Sequence, residues 1–225
     1  MIKLVLNSVY PSPCINCESL FEFDWQNCIC KRCIELIKKE KNLPYCKSCG
    51  DGVENCENCK TKTYYNDIEV YCSFKGAIKN LIYEYKLSNR RNLSKIIAEK
   101  IEEDIKSYIK DKRIEMIIYV PLHKSIEKQR GFNHLKEILV HILPPYLISD
   151  QIEKTRNTKL QTELPKEKRL RNLKNAFRLK KQLKAKNILI FDDVLTTGST
   201  LLELYSTIKN SGYSGNIYGY VITKS

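Results

Sequence analysis

Apolar positions recur along this chain in two rhythms, and the changes of rhythm mark the elements. Residues 188–191 form an unbroken apolar run of β-favouring side chains, the pattern of a strand covered on both faces of a parallel sheet. Similar short runs at 116–120, halted by Pro121, and at 217–222 predict two more strands. Residues 68–74 alternate instead, with Val70, Cys72 and Phe74 on one face, which makes Cys72 a core residue. Helical spacing dominates 77–86, 93–109, a segment entered through Arg130, Gly131, Phe132 and Asn133 and running to about 143, and 201–209. Residues 146–148 and 177–179 read as brief strands, the latter at an edge. Strands alternating with helices predict an α/β domain over 64–225, a parallel sheet with flanking helices.

Residues 1–63 follow neither rhythm. They hold nine of the ten cysteines, and eight of these form four C-x2-C pairs: Cys14/Cys17, Cys30/Cys33, Cys46/Cys49 and Cys56/Cys59. Each pair presents two thiolates from a tight knuckle, and two knuckles complete a tetrahedral zinc site. The segment is therefore read as a small double zinc ribbon holding two structural Zn2+ ions, because all-thiolate shells leave no position open for a substrate. So short a stretch has little apolar surface to bury, so metal binding would supply most of its folding energy. Sequential pairing of knuckles is favoured, with alternate pairing left open. Cys30 is preferred to Cys28 as a ligand because it keeps the regular spacing to Cys33. A helix-like stretch at 34–40 joins the two sites, and Asp51 with Gly52 reads as a hairpin turn. Phe21, Phe23 and Trp25 are taken as aromatic plugs of the ribbon rather than as a stacking surface for bases.

The strand at 188–191 ends in the acid pair Asp192 and Asp193, which resist burial and call for hydroxyls, backbone donors or a cation. Thr196, Thr197, Gly198, Ser199 and Thr200 follow, supplying hydroxyls, a residue without Cβ and candidate helix caps before the next amphipathic segment. A helix entered this way presents free N–H groups to an anion, and ligands of open α/β sheets gather at such carboxyl ends. The order of apolar run, acid pair and threonine-rich turn resembles the 5-phosphoribosyl-1-pyrophosphate (PRPP) loop of type I phosphoribosyltransferases. That resemblance implies that Asp192 and Asp193 hold the ribose hydroxyls and act in catalysis. It also implies that Leu195 to Thr200 surround the 5′-phosphate. A second strand end, Val120, Pro121, Leu122 and His123, precedes the cations Lys124, Lys128 and Arg130, which places positive charge where a pyrophosphate would sit, so Arg130 and the loop carrying His123 are expected to bind PRPP there. His123, His134 and His141 show no metal-ligand spacing and are assigned surface or packing roles.

Charge adds a second theme. With 39 Lys and Arg against 26 Asp and Glu, the net charge is +13, a field that attracts polyanions. Two stretches concentrate it: residues 86–92, with Arg90 and Arg91, and residues 153–175, with Lys154, Arg156, Arg169 and Arg171. The first is a contact for an anion or a solvated linker. The second is a lid over a polyphosphate or a surface loop, and the basic residues of both stretches are candidate contacts for nucleic acid. No stretch approaches the roughly 18 uninterrupted apolar residues of a membrane span, and the N-terminus lacks a full signal-peptide core, so a cytoplasmic location is expected.

Taken together, the four cysteine pairs, Val120 to His123, Arg130 to Asn133, the spacing of Thr158, Gln161, Leu164, Arg169, Asn172, Leu173, Ala176 and Phe177, and Phe191 to Thr200 resemble the ComF family of ComFC type. The resemblance covers nearly the whole chain. It implies a type I phosphoribosyltransferase fold behind a double zinc ribbon, with PRPP bound together with Mg2+. It also implies a part in natural transformation through handling of single-stranded DNA, with a competence helicase or DNA-uptake channel as partner. Whether PRPP is consumed by transfer or only bound is left open, as is the acceptor. The rival reading is a salvage or regulatory phosphoribosyltransferase with no role in DNA.

Overall fold

A computed structural model describes residues 12–21, 28–50, 56, 59, 64–88, 90–157 and 173–225. Phe23, Trp25, the turn at 51–52, and Arg169 and Arg171 with the rest of 158–172 lie outside the described residues.

The N-terminal unit contributes β1 (Ser12–Pro13) and β2 (Leu20–Phe21), an antiparallel pair, and the short helix α1 (Lys31–Glu35). The helix expected at 34–40 is thus earlier and only five residues long. It carries Cys33 on its buried side, so the knuckle sets its position more than helical periodicity does.

The remainder runs β3 (Asp67–Ser73), α2 (Gly76–Leu87), α3 (Leu93–Asp111), β4 (Met116–Tyr119), α4 (Lys124–Arg130), α5 (His134–Ile142), a 3-10 turn at Pro145–Leu147, β5 (Ile148–Ser149), β6 (Ile152–Lys154), β7 (Phe177–Leu179), β8 (Asn187–Leu195), α6 (Ser199–Asn210) and β9 (Asn216–Lys224). Five of these strands make an all-parallel sheet in the order β3-β9-β8-β4-β5. Such a sheet must be covered on both faces. On one face Leu189, Phe191, Tyr220 and Ile222 pack with Leu81, Ile97, Ile101 and Leu135 from α2, α3 and α5. On the other, Ile188, Ile190, Ile217 and Val221 pack with Leu201, Leu204 and Ile208 of α6. Cys72 is buried in the core, as its alternation predicts.

The outer strand β3 would offer an unpaired backbone edge to other chains. Here the ribbon covers it. The Glu40 N–H donates to the Tyr71 carbonyl at 2.9 Å. The Tyr45 hydroxyl donates to the Ile68 carbonyl at 3.2 Å and accepts from the Val70 N–H at 3.1 Å.

Several predicted boundaries shift, each for a local reason. β8 does not stop at the acid pair but continues to Leu195, because β9 keeps pairing with it: Asp192 lies opposite Val221, Val194 opposite Thr223 and Leu195 opposite Lys224. The cationic stretch after Pro121 is the helix α4 rather than a loop. Arg130 closes that helix instead of opening the next, since Gly131 takes the left-handed conformation (φ 81°) that ends it. Asn133 then caps α5, its Oδ1 accepting from the N–H groups of Leu135 and Lys136. The brief strand expected at 146–148 is displaced to Ile148–Ser149 by the 3-10 turn that Pro145 begins. β7 is not an edge of the main sheet; it pairs antiparallel with β6 in a separate ribbon.

Candidate functional site

In a parallel sheet all the carboxyl ends share one rim, and the cavity of about 640 Å³ found here opens on that rim. Phe74 follows β3, Ser225 follows β9, Asp192 to Val194 belong to the end of β8, and Val120 to His123 follow β4; all line the cavity. The helices add Ile82, Tyr83 and Lys86 from α2, Arg130 from α4 and His134 from α5, while β6 adds Lys154.

The two acids point into different environments. Asp193 is buried and meets the Lys86 ammonium at 2.6 Å and His134 Nε2 at 2.7 Å. Its backbone carbonyl accepts from the Thr223 hydroxyl at 2.8 Å. Burial opposes ionisation of this carboxyl, but Lys86 and His134 outweigh it and hold it well below the usual carboxylate range. His134 Nδ1 lies 3.0 Å from an Arg130 Nη, which can only donate, so Nδ1 accepts and the ring proton sits on Nε2, facing Asp193. Desolvation lowers the His134 pKa, which agrees with this neutral tautomer. Arg130, His134, Asp193 and Lys86 thus form one chain of hydrogen bonds along the cavity wall. Asp192 differs. It makes no ion pair among the described residues, and burial, then the neighbouring Asp193 charge, push its carboxyl up to about 7. Its Oδ1 accepts the Asp193 N–H at 2.9 Å.

Past β8 the chain turns through Gly198, which holds φ 71° and serves as the N-cap residue of α6. A Cβ there would collide with the Cys49 carbonyl oxygen, so glycine is required both by conformation and by space. Thr196 and Thr200 line the cavity, whereas the Thr197 and Ser199 hydroxyls bond to each other at 2.5 Å. Leu195 is buried against the third cysteine knuckle, at Cys46–Gly50, away from the cavity wall.

The remaining predicted residues scatter. His123 lines the cavity, with its Nδ1 turned to the Ser125 hydroxyl at 2.7 Å as the cap of α4. Lys154, read from sequence as part of a basic surface, is in the cavity wall, where desolvation lowers its pKa. Arg90 pairs with Glu84 at 3.2 Å. Arg91 donates to the Gly131 carbonyl at 2.7 Å and lies 4.6 Å over the Phe132 ring, fixing the turn between α4 and α5. Arg156 donates to the Lys174 carbonyl. Lys86, expected at the end of the helix at 77–86 and in the basic stretch 86–92 but not as part of the site, belongs to α2, and His134, given only a surface or packing role, is buried and bonded to Asp193. His134 follows Asn133 at a helix start, and that capping position is the one sequence signal that could have aimed it at the sheet rim.

The cysteines assemble into two groups, Cys14/Cys17/Cys30/Cys33 and Cys46/Cys49/Cys56/Cys59, with the four Sγ atoms of each within 4.8 Å of one another. The pairing is sequential and excludes Cys28, which is buried apart. A tetrahedron with Zn–S bonds of about 2.3 Å has S–S edges of about 3.8 Å. Cys17 and Cys30 are 3.8 Å apart, and Cys46–Cys59 and Cys49–Cys56 are each 3.6 Å apart. N–H groups of Asn16 and Cys30 point at Cys14 Sγ at 3.5 and 3.4 Å, and the Asn16 amide donates to Cys33 Sγ at 3.2 Å. Such donors stabilise thiolates around a cation. Both groups fit zinc.

A five-stranded parallel α/β domain with a rim cavity, joined to two four-thiol knuckle sites, is the class of protein that these features define. No family model matches the chain. Among curated proteins it is 28% identical over 215 residues to Competence protein F of Haemophilus influenzae, covering 88% of this chain and 91% of that one. It is 28% identical over 196 residues to the DNA utilization protein YhgH of Escherichia coli K12, covering 82% and 85%. Against Competence protein ComFC of Streptococcus pneumoniae the identity is 26% over 207 residues, covering 79% and 86%. Over most of its length the chain is thus similar to curated proteins of the ComF/ComFC type. Among the described residues no helix is long and apolar enough to cross a membrane.

Proposed function

We propose that the rim cavity binds PRPP with Mg2+, and that the chain uses this site while handling single-stranded DNA in competence-linked DNA uptake. The observation that carries the reading is the composition of one wall. Asp192 stands near the end of β8, Thr196 just past it and Thr200 in the first turn of α6, and the cations Lys86, Arg130 and Lys154 line the same cavity. A ribose bearing phosphate at one end and pyrophosphate at the other needs this division of donors and charges.

The roles follow from the chemistry. Asp192, without an ionic partner among the described residues, accepts from ribose hydroxyls and offers a hard oxygen that suits Mg2+. Bound Mg2+ would neutralise charge on the departing pyrophosphate. Asp193 is spent on Lys86 and His134, so its part is to hold those two groups in the wall rather than to meet the sugar alone. Amides at the start of α6 and the Thr196 and Thr200 hydroxyls take the 5′-phosphate. Arg130 and Lys154 face the pyrophosphate. In a transfer, an acceptor nitrogen forms its bond to the anomeric carbon as the bond to pyrophosphate breaks, and carboxylates beside the ring stabilise the positive charge that develops. The apolar surfaces of Phe74, Ile82 and Tyr83 suit a flat acceptor, and so also support the alternative of a salvage or regulatory phosphoribosyltransferase. The DNA role draws its support from the names of the relatives and from the +13 charge.

Calorimetric titration of the zinc-loaded chain with magnesium PRPP tests the reading. Saturable one-site binding is expected, lost in D192N. Unchanged affinity in D192N defeats the assignment. D193N is the poorer probe, because it strands Lys86 beside a neutral group.

A further inference from the structure

The cysteine ribbon and the phosphate loop are far apart in sequence, yet their backbones touch. The knuckle at 46–50 sits behind the loop at the end of β8. There the missing Cβ of Gly198 makes room for the Cys49 carbonyl, and the missing Cβ of Gly50 leaves space for Leu195, whose Cδ1 would lie 2.8 Å from it. The contact extends along the first turn of α6. Leu202 packs on the Cys46, Cys49 and Cys56 cluster. The Tyr65 hydroxyl donates to the Leu201 carbonyl at 2.7 Å, while the Tyr65 N–H donates to the Ser48 carbonyl at 2.8 Å. Tyr64 N–H donates to the Ser48 hydroxyl at 2.9 Å, and its ring meets that of Tyr205 on α6 edge-on at 5.5 Å. The Gly50 N–H returns to the Cys46 carbonyl at 2.8 Å, closing the knuckle.

The first four-thiol site is attached elsewhere. Asn80 on α2 donates to the Ile15 carbonyl and to the Asn16 side chain, each at 3.2 Å, and Asn16 in turn donates to Cys33 Sγ. That connection runs to α2, the helix bearing Lys86, whereas the atoms nearest Gly198 belong to Cys49 and Gly50.

We propose that the second four-thiol site and the phosphate loop form one coupled unit. In it the metal-held knuckle sets the backbone of Gly198 and the first turn of α6, and anion binding in the loop in turn retains that metal. Glycines at both contact points leave no side chain to cushion the fit, so movement of the 46–50 backbone displaces the loop directly. Linkage requires the effect to run both ways by the same factor. The inference rests on the reading of the cavity as a sugar-phosphate site. It adds that the ribbon is part of that site's machinery through one metal and not the other.

The test uses the full zinc-loaded chain, a zinc chelator in excess and a thiol-alkylating reagent, with and without saturating magnesium PRPP. Thiols freed as metal leaves are trapped and located by peptide mass. With PRPP present, alkylation of Cys46, Cys49, Cys56 and Cys59 should slow by about fivefold or more, while Cys14, Cys17, Cys30 and Cys33 react at an unchanged rate. Calorimetry on the same preparation reports whether PRPP binds. Binding with neither group protected, or with both protected alike, overturns the coupling and leaves the cavity reading standing. Absence of binding overturns both.

Discussion

Replacing Asp192 with Asn should make the ligand-free protein more stable while removing its ligand binding. In an unfolded chain an aspartate ionises near pH 4, whereas in the fold Asp192 holds its proton until about 7. Between those values the folded chain binds a proton that the unfolded chain has lost, so stability falls as pH rises through the interval and stays reduced above it. About three pH units at roughly 1.4 kcal/mol each make an upper bound of about 4 kcal/mol. The asparagine still accepts the Asp193 N–H through its own Oδ1. Desolvating its amide takes back about 1–2 kcal/mol, leaving a gain of about 2–3 kcal/mol at pH 8. The wild-type penalty is not fully developed at pH 6, so the advantage of D192N should grow by about 1 kcal/mol from pH 6 to pH 8. Urea unfolding followed by circular dichroism, with zinc retained, measures both quantities. A D192N protein less stable than wild type at pH 8, or an advantage that does not change with pH, would refute the reasoning. A buried acid left without an ionic partner among the described residues is the kind of local cost that functional sites exchange for activity.

Other consequences can be checked alongside. Lys86→Met removes the 2.6 Å partner of a buried carboxylate and should cost about 2–3 kcal/mol, less than a wholly buried pair because the lysine is 26% exposed; chemical denaturation at pH 7.5 reads it. Cys28→Ser should keep two zinc ions per chain by metal analysis, whereas Cys30→Ser should lose one, because only Cys30 belongs to a four-thiol group. Single-stranded DNA affinity should fall with salt at a log-log slope of roughly −0.7 for each phosphate contacted, and a flat filter-binding series would remove the nucleic-acid role.

What could be read from sequence, and what could not, divides along the range of the forces involved. The two four-thiol groups follow from spacing, because a C-x2-C knuckle is a local geometry, and even the preference for Cys30 over Cys28 is local. The strand at 188–191 and the covering of its two faces are likewise written in a short apolar run. The continuation of β8 through Asp192 and Asp193 is not, since the β9 ladder imposes it from a partner 29 positions away. Lys86 showed only as one of a run of basic residues at a helix end, because its carboxylate partner lies 107 residues on. His134 had no metal spacing to betray it; its importance lies in bridging Arg130 and Asp193, and that needs the fold. The packing of Gly198 on Cys49 is the extreme case, a backbone contact that leaves only a glycine as its trace.

The central claim is that a sugar phosphate lodges where β8 passes into α6. Hydrogen exchange of the zinc-loaded chain, resolved by peptide and compared with and without magnesium PRPP, tests this most directly. Protection concentrated in 192–202 is the predicted result. Exchange unchanged across that segment, or protection only in segments remote from the cavity, would contradict it.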